Sequence, residues 1–276
     1  MSITNRIAPL VLAAALLPLA AQAHQTWLLA NQTQFSAGRE APVAAFDAAV
    51  SEDLFIFERG LKLDTLRITG PDGQPLEAEN RTSSRHRESF EVKLPLDGTY
   101  RVSHISQSIM GAYKAGGETK RFRTTPANLA KDVPADAEIT SFVVNVARQQ
   151  TFVSREQPGK LGFAPEGQGL ELLPLGPVTD LSHGDRTRFV LMLDGKPLPG
   201  ATLRLLRDGN RYRYKLGEEA LKSDDKGELT VTWTEPGRYL IAASVGERPA
   251  PGQPQGTRDK PLQRASLAAT FEVLPK

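Results

Sequence analysis

The residues able to hold a metal ion are few. The chain has four histidines, His24, His86, His104 and His183, and no cysteine. Thiolate sites, disulfides and a lipid-anchored cysteine are therefore excluded. His24 directly follows Ala21-Gln22-Ala23, a small-x-small pattern of the kind that signal peptidases cut. Cleavage after Ala23 makes His24 the first residue, with a free amine beside its imidazole. Amine and Nδ1 then close one chelate ring, and an amine of reference pKa about 8 yields its proton to a metal near neutral pH. One further imidazole completes a three-nitrogen brace. Such a planar set suits Cu(II) or Ni(II), whereas zinc takes a tetrahedral set with more ligands.

His104 is the first choice for that further imidazole. Tyr100, Val102 and His104 fall on one face of a strand because side chains repeat every two residues, and Arg101 and Ser103 take the other. His86, in "TSSRHRES", lies among charges and is the second choice. His183, in "LSHGDR", occupies a turn. Trp27 reads as a core anchor of the first strand. Asp224 and Asp225, in "KSDDKGE", lack the alternating oxygen ligands of a calcium loop and read as a turn. There is no G-x-S-x-G, no H-E-x-x-H and no phosphate-binding glycine loop, so no catalytic residue is named and no enzyme is expected. "MGAYKAGGETKRF" (110–122) reads as a hairpin loop around Gly116-Gly117.

What must carry these residues follows from the rest of the chain. Residues 1–23 read as a secretory leader: Arg6, the short apolar run "APLVLAAALLPLA", then the cleavage pattern. That run is too short to span a bilayer comfortably, and no later segment is apolar enough to cross one, so the mature chain has no integral membrane segment. Export without disulfides suits the bacterial periplasm. Removing Arg6 with the leader leaves 33 Lys and Arg against 32 Asp and Glu. A balance so near neutral, with its charges dispersed as on solvated faces, implies no nucleic-acid partner.

The pattern is almost entirely β. Short alternating runs include 54–60, 65–73, 88–106, 188–195, 201–209, 228–233 and 238–245, and Asp-Gly pairs at 72–73, 97–98, 194–195 and 208–209 punctuate them. Residues 126–136 allow a turn of helix. A repeat is present: Phe90-x-Val92 followed by Gly98-x-Tyr100-x-Val102 matches Leu229-x-Val231 followed by Gly237-x-Tyr239-x-Ile241. We read each unit as a β-hairpin whose Gly opens the returning strand, and Ala243 as the counterpart of His104. The expectation is an all-β chain of two tandem β-sandwich domains, immunoglobulin-like or transthyretin-like, over 24–156 and 157–276. Their boundary lies in the Pro/Gly-rich 157–178, where "GLELLPL" starts the second domain. Residues 246–261 read as a long loop before a final strand at 265–274.

Seven stretches, "AHQTWLL", "DGTYRV", "GQGLELLPLGPV", "LDGKPLPGATLRLLRDG", "SDDKGELTVTW", "GRYLIAAS" and "RASLAATFEVLP", together resemble the DUF4198 family over nearly the whole mature chain. The resemblance implies a periplasmic protein similar to the periplasmic component of nickel/cobalt uptake systems. It places His24 at the family's N-terminal histidine. It also leaves Gln25 and Thr26 where an acidic and an aromatic residue are common, so the carboxylate next to the metal is missing. The function expected is binding of a divalent transition metal, nickel, cobalt or copper, for uptake or handling, with an inner- or outer-membrane transporter as partner. The alternatives are a non-catalytic adaptor for an envelope transport system, or a histidine-brace copper oxidase. Against the oxidase, aromatics make up only 7% of residues, too few for a surface row that grips a polymer.

Overall fold

The computed structural model describes residues 24–158, 163–214, 217–246 and 255–276. The leader at 1–23, part of the stretch expected to hold the domain boundary and half of the loop expected at 246–261 lie outside them. The principal strands are β1 (Gln25–Ala30), β2 (Val43–Ser51), β3 (Leu66–Thr69), β4 (Glu88–Lys93), β5 (Gly98–Ala115), β6 (Glu118–Thr124), β7 (Glu138–Arg155), β8 (Leu170–Pro174), β9 (Arg186–Leu193), β10 (Thr202–Arg207), β11 (Glu228–Thr232), β12 (Gly237–Gly246) and β13 (Leu262–Leu274). One helical turn, α1 (Leu129–Asp132), falls inside 126–136 as expected.

The all-β class stands, and the sheets are shared in an instructive way. One 11-stranded sheet runs through the molecule with β10, β12, β13, β7, β5 and β3 in that order. A second sheet holds β1, β2 and β4, and a third holds β8, β9 and β11. Alternation along β7 explains how one long sheet serves two cores. Val153 joins Leu28, Phe46, Phe90, Tyr100 and Val102 under the β1 sheet. Its neighbour Phe152 points the other way and joins Leu172, Phe189, Trp233, Ile241 and Phe271 under the β8 sheet. β7 is therefore buried on both faces, and its centre is polar: Arg148, Gln149, Gln150 and Thr151 are each at most 2% exposed. Such burial is tolerable only when hydrogen bonds replace water. Gln150 supplies them as a strand would, donating to the Leu172 carbonyl at 2.8 Å and accepting from the Leu172 N–H at 3.3 Å. Arg148 Nε donates to the Leu170 carbonyl at 2.8 Å.

Three expectations need correction. The repeat is no hairpin. β4 pairs with β2 while β5 pairs with β7 and β3, so the chain between them crosses from one sheet to the other. β11 and β12 do the same in the other half. In each crossing the tyrosine hydroxyl donates to a carbonyl four residues upstream, Tyr100 to Leu96 at 2.7 Å and Tyr239 to Glu235 at 2.7 Å. This is the arrangement of a tyrosine corner. Residues 54–57 are no strand either. Leu54 and Phe55 leave the β1 sheet and pack on Leu206, Leu240, Ala242 and Ala268 of the long sheet, which removes more apolar surface than a short edge strand would. Finally, not every cation lies on a solvated face. Arg101 and Arg148 are 4% and 1% exposed, and they meet Glu166, which binds Arg101 at 3.3 Å and Arg148 at 3.0 Å.

The β5–β6 hairpin is as expected. Ala115 pairs with Glu118, and Gly116 and Gly117 take φ of 60° and 82°, the left-handed values that a two-residue turn needs.

Candidate metal centre at the N-terminal edge

Strand register builds the surroundings of His24. Gln25 lies opposite Ser51, so one step further along the antiparallel pair sets His24 opposite Glu52. The two side chains meet there, with His24 Nε2 3.8 Å from Glu52 Oε1. Both are about half exposed, at 54% and 62%. The carboxylate absent from positions 25 and 26 thus arrives from the neighbouring strand. Glu52 is itself positioned: its backbone N–H donates to both carboxylate oxygens of Glu58 at 3.2 Å. His86 stands beyond, exposed, with Nδ1 3.1 Å from the Glu58 carbonyl. A carbonyl only accepts, so that nitrogen carries the proton and His86 Nε2 is the free one. His183 sits in the turn at 183–184, where its backbone N–H donates to the Leu274 carbonyl at 3.0 Å.

His104 is buried, 2% exposed, on the face of β5 that also carries Tyr100 and Val102. Its tautomer follows from its neighbours. The Thr65 hydroxyl donates its single proton to the Ile105 carbonyl, so it must accept from His104 Nδ1–H, 3.2 Å away. Nε2 is left as a bare lone pair, buried and without a hydrogen-bond partner among the described residues. Burial holds the imidazole pKa below its ordinary value, against the opposing pull of Asp64 and Thr65, so the ring is neutral at pH 7. Across the strand pair His104 faces Gln149, whose amide donates to Thr26 Oγ1 at 2.9 Å. Thr26 stands two residues from His24 on the same strand face. Gln149 and Thr26 stand between the two histidines and bond each other, but neither side chain is hydrogen-bonded to the His104 or His24 ring among the described residues, and each histidine has a different direct partner. Among the described residues, no three His, Asp or Glu side chains converge closely enough to enclose a metal.

His24 and Thr26 also wall a cleft of about 460 Å³ over the long sheet. Its other polar lining includes Arg123, Asn145, Arg204, Ser244 and Ser266. Neither this cleft nor Glu52 was visible in the sequence, because strand register brings both to His24 from distant segments.

The profile of a family described as a domain of unknown function, DUF4198, matches residues 21–247. No curated protein matches the sequence. Among solved structures, the chain is similar to Escherichia coli alpha-2-macroglobulin activated by porcine elastase, at 14% identity and TM-score 0.22, covering 92% of this chain and 20% of that one. It is similar to a DUF4785 family protein from Legionella pneumophila at 10% identity and TM-score 0.25, covering 78% and 50%. It is similar to the D0-D1 domain of Intimin at 13% identity and TM-score 0.21, covering 89% and 97%. The chain thus spans about a fifth of that macroglobulin's length. Scores at this level carry no argument about function.

Proposed function

The chain belongs to the DUF4198 family, and from that premise we propose that it is a periplasmic protein that binds a divalent transition metal, nickel, cobalt or copper, for uptake or handling. The terminal amine and Nδ1 of His24 would form the chelate. The observation that carries this reading is Glu52. A histidine that ligates a metal through one ring nitrogen usually gives the N–H of the other to a carboxylate, which fixes ring orientation and raises ligand basicity. With Nδ1 on the metal, Nε2 is the nitrogen left over, and Nε2 is the atom beside Glu52. The two half-exposed side chains would need to close from 3.8 Å to make that hydrogen bond. His104 is fit to ligate as well, through a lone pair that is neutral and unpaired.

A site with so few protein donors suits cargo that must be passed on, with binding and no turnover. An envelope transporter is the natural recipient. In the His24→Ala variant, expressed with its leader, the Cu(II) electron paramagnetic resonance spectrum should lose the hyperfine contribution of the imidazole nitrogen and tight binding should disappear. Unchanged spectra and affinity would refute the proposal.

One observation favours the adaptor reading beside it. Tyr212 and Tyr214 stand fully out in solvent next to Arg211, on the loop after β10. Tyr and Arg are residues that anchor protein interfaces. Replacing both tyrosines with serine would abolish a partner contact made there and leave metal binding intact.

A further inference from the structure

The cleft beside His24 has a floor set by register. Ser244 pairs with Ser266, Ser266 with Ala147, and one step inward Ala242 pairs with Ala268. Short side chains in adjacent rows make this floor flat, and the start of β1 stands over it as a wall. Hydroxyls of Ser244 and Ser266 and the amide of Asn145 lie along the floor, with Arg123 and Arg204 at the rim. No Asp or Glu lines the cleft. Arg204 holds Glu218 at 2.7 Å outside the lining. The Arg123 side chain forms no ion pair or hydrogen bond with the described residues. Guanidinium forks over a hydroxyl-bearing floor recognise carboxylates, and about 460 Å³ admits a small molecule of several such groups.

The donor count at His24 points the same way. Amine and Nδ1 fill two positions of an ion that takes four to six, and no three His, Asp or Glu side chains converge among the described residues. The remaining positions need donors from elsewhere. We infer that the cleft takes the metal as its chelate with a small polycarboxylate, metal toward His24 and a spare carboxylate toward Arg123. This rests on the metal-binding reading above and specifies the form of the cargo. The ligand's oxygens complete the coordination sphere, and its surplus negative charge meets the cationic rim, so metal and chelator are held together better than either alone.

The experiment is calorimetric titration of the exported chain, its N-terminus verified as His24, with nickel(II), with citrate and with nickel(II) citrate. Arg123→Ala and Ser244→Phe are run in parallel, both at exposed positions that leave the cores intact. The wild type should bind nickel(II) citrate at least about tenfold more tightly than nickel(II) alone. Each variant should lose that advantage and keep its citrate-free nickel affinity. If citrate only weakens nickel binding, as a competing chelator does, or if the advantage survives in both variants, the inference is overturned while the metal reading stands. If nickel(II) fails to bind with or without citrate, the metal reading itself has failed. Citrate binding unaided by nickel would show an anion site and overturn the chelate.

Discussion

At the scale of single residues, His104 has a consequence for acid stability. Its imidazole is held below its ordinary pKa by burial, while the unfolded chain takes up the proton near about 6.5. Below that pH the unfolded state gains a proton that the folded state resists. Stability present above about 6.5 is therefore lost as pH falls toward the depressed folded value. Urea midpoints at pH 8, 7, 6 and 5 should show this fall, and His104→Phe should flatten it; an identical slope in both proteins would contradict the assignment. Glu52 is the other residue with a measurable part. Outer carboxylates of metal-bound histidines are worth about 10–100-fold in affinity, and half-exposed Glu52 should lie at the lower end. Glu52→Gln should weaken Cu(II) binding about tenfold, read by competition with a chelator of known affinity. His24 could be proposed from the sequence because a cleavage pattern is local. Glu52 was not, because it reaches His24 through pairing across the long connection between β1 and β2.

At the scale of elements, the two tyrosine corners make a graded prediction. The Tyr100 hydroxyl serves two backbone groups, donating to the Leu96 carbonyl and accepting from its N–H at 2.8 Å. Tyr239 serves one, the Glu235 carbonyl. Tyr→Phe leaves those groups without a partner at a cost of about 1–3 kcal/mol each. Tyr100→Phe should therefore lower the urea midpoint more than Tyr239→Phe does. The spacing of this repeat was plain in the sequence, but its meaning was not. A hairpin and a crossing between sheets carry the same Asp-Gly or Pro-Gly punctuation, and only the pairing partners of β4 and β5 tell them apart. The apolar run at 54–57 misled for a related reason. Leu54 is buried and Phe55 partly so, as their type demands, but against β10, β12 and β13 rather than in a strand of their own, while Phe57 stays exposed.

At the scale of the whole molecule, β7 joins the two cores, and Glu166 locks the chain that leaves it. Burial alone would raise the Glu166 carboxyl, but Arg148 and Arg101 outweigh it and hold the pKa below the ordinary 4.5. A depressed carboxylate contributes stability that is present above its unfolded pKa and lost as pH falls through the folded one. Replacing it with glutamine leaves buried Arg148 without its counter-charge, while Arg101 keeps Glu171 at 3.3 Å. Glu166→Gln should cost about 3–5 kcal/mol, the range for removing one partner of a buried pair. With one strand lining both cores, calorimetry should show a single unfolding transition; two resolved transitions would contradict the shared-sheet account. Almost none of this was legible. A polar run such as Arg148-Gln149-Gln150-Thr151 looks like a solvated face until a second sheet is seen to cover it. The β class, the turns and the strand order along the chain were legible, since alternation and Asp-Gly pairs are local signals.

The claim on which the rest depends is that His24 chelates a metal with its own amine. The most direct test is a Cu(II) and Ni(II) titration of the chain beginning at His24, beside the same chain with one alanine ahead of it. The added residue converts the amine to an amide and leaves the strands untouched. The account predicts tight binding by the first protein and its collapse in the second. Equal affinity in the two, or none in either, would contradict it.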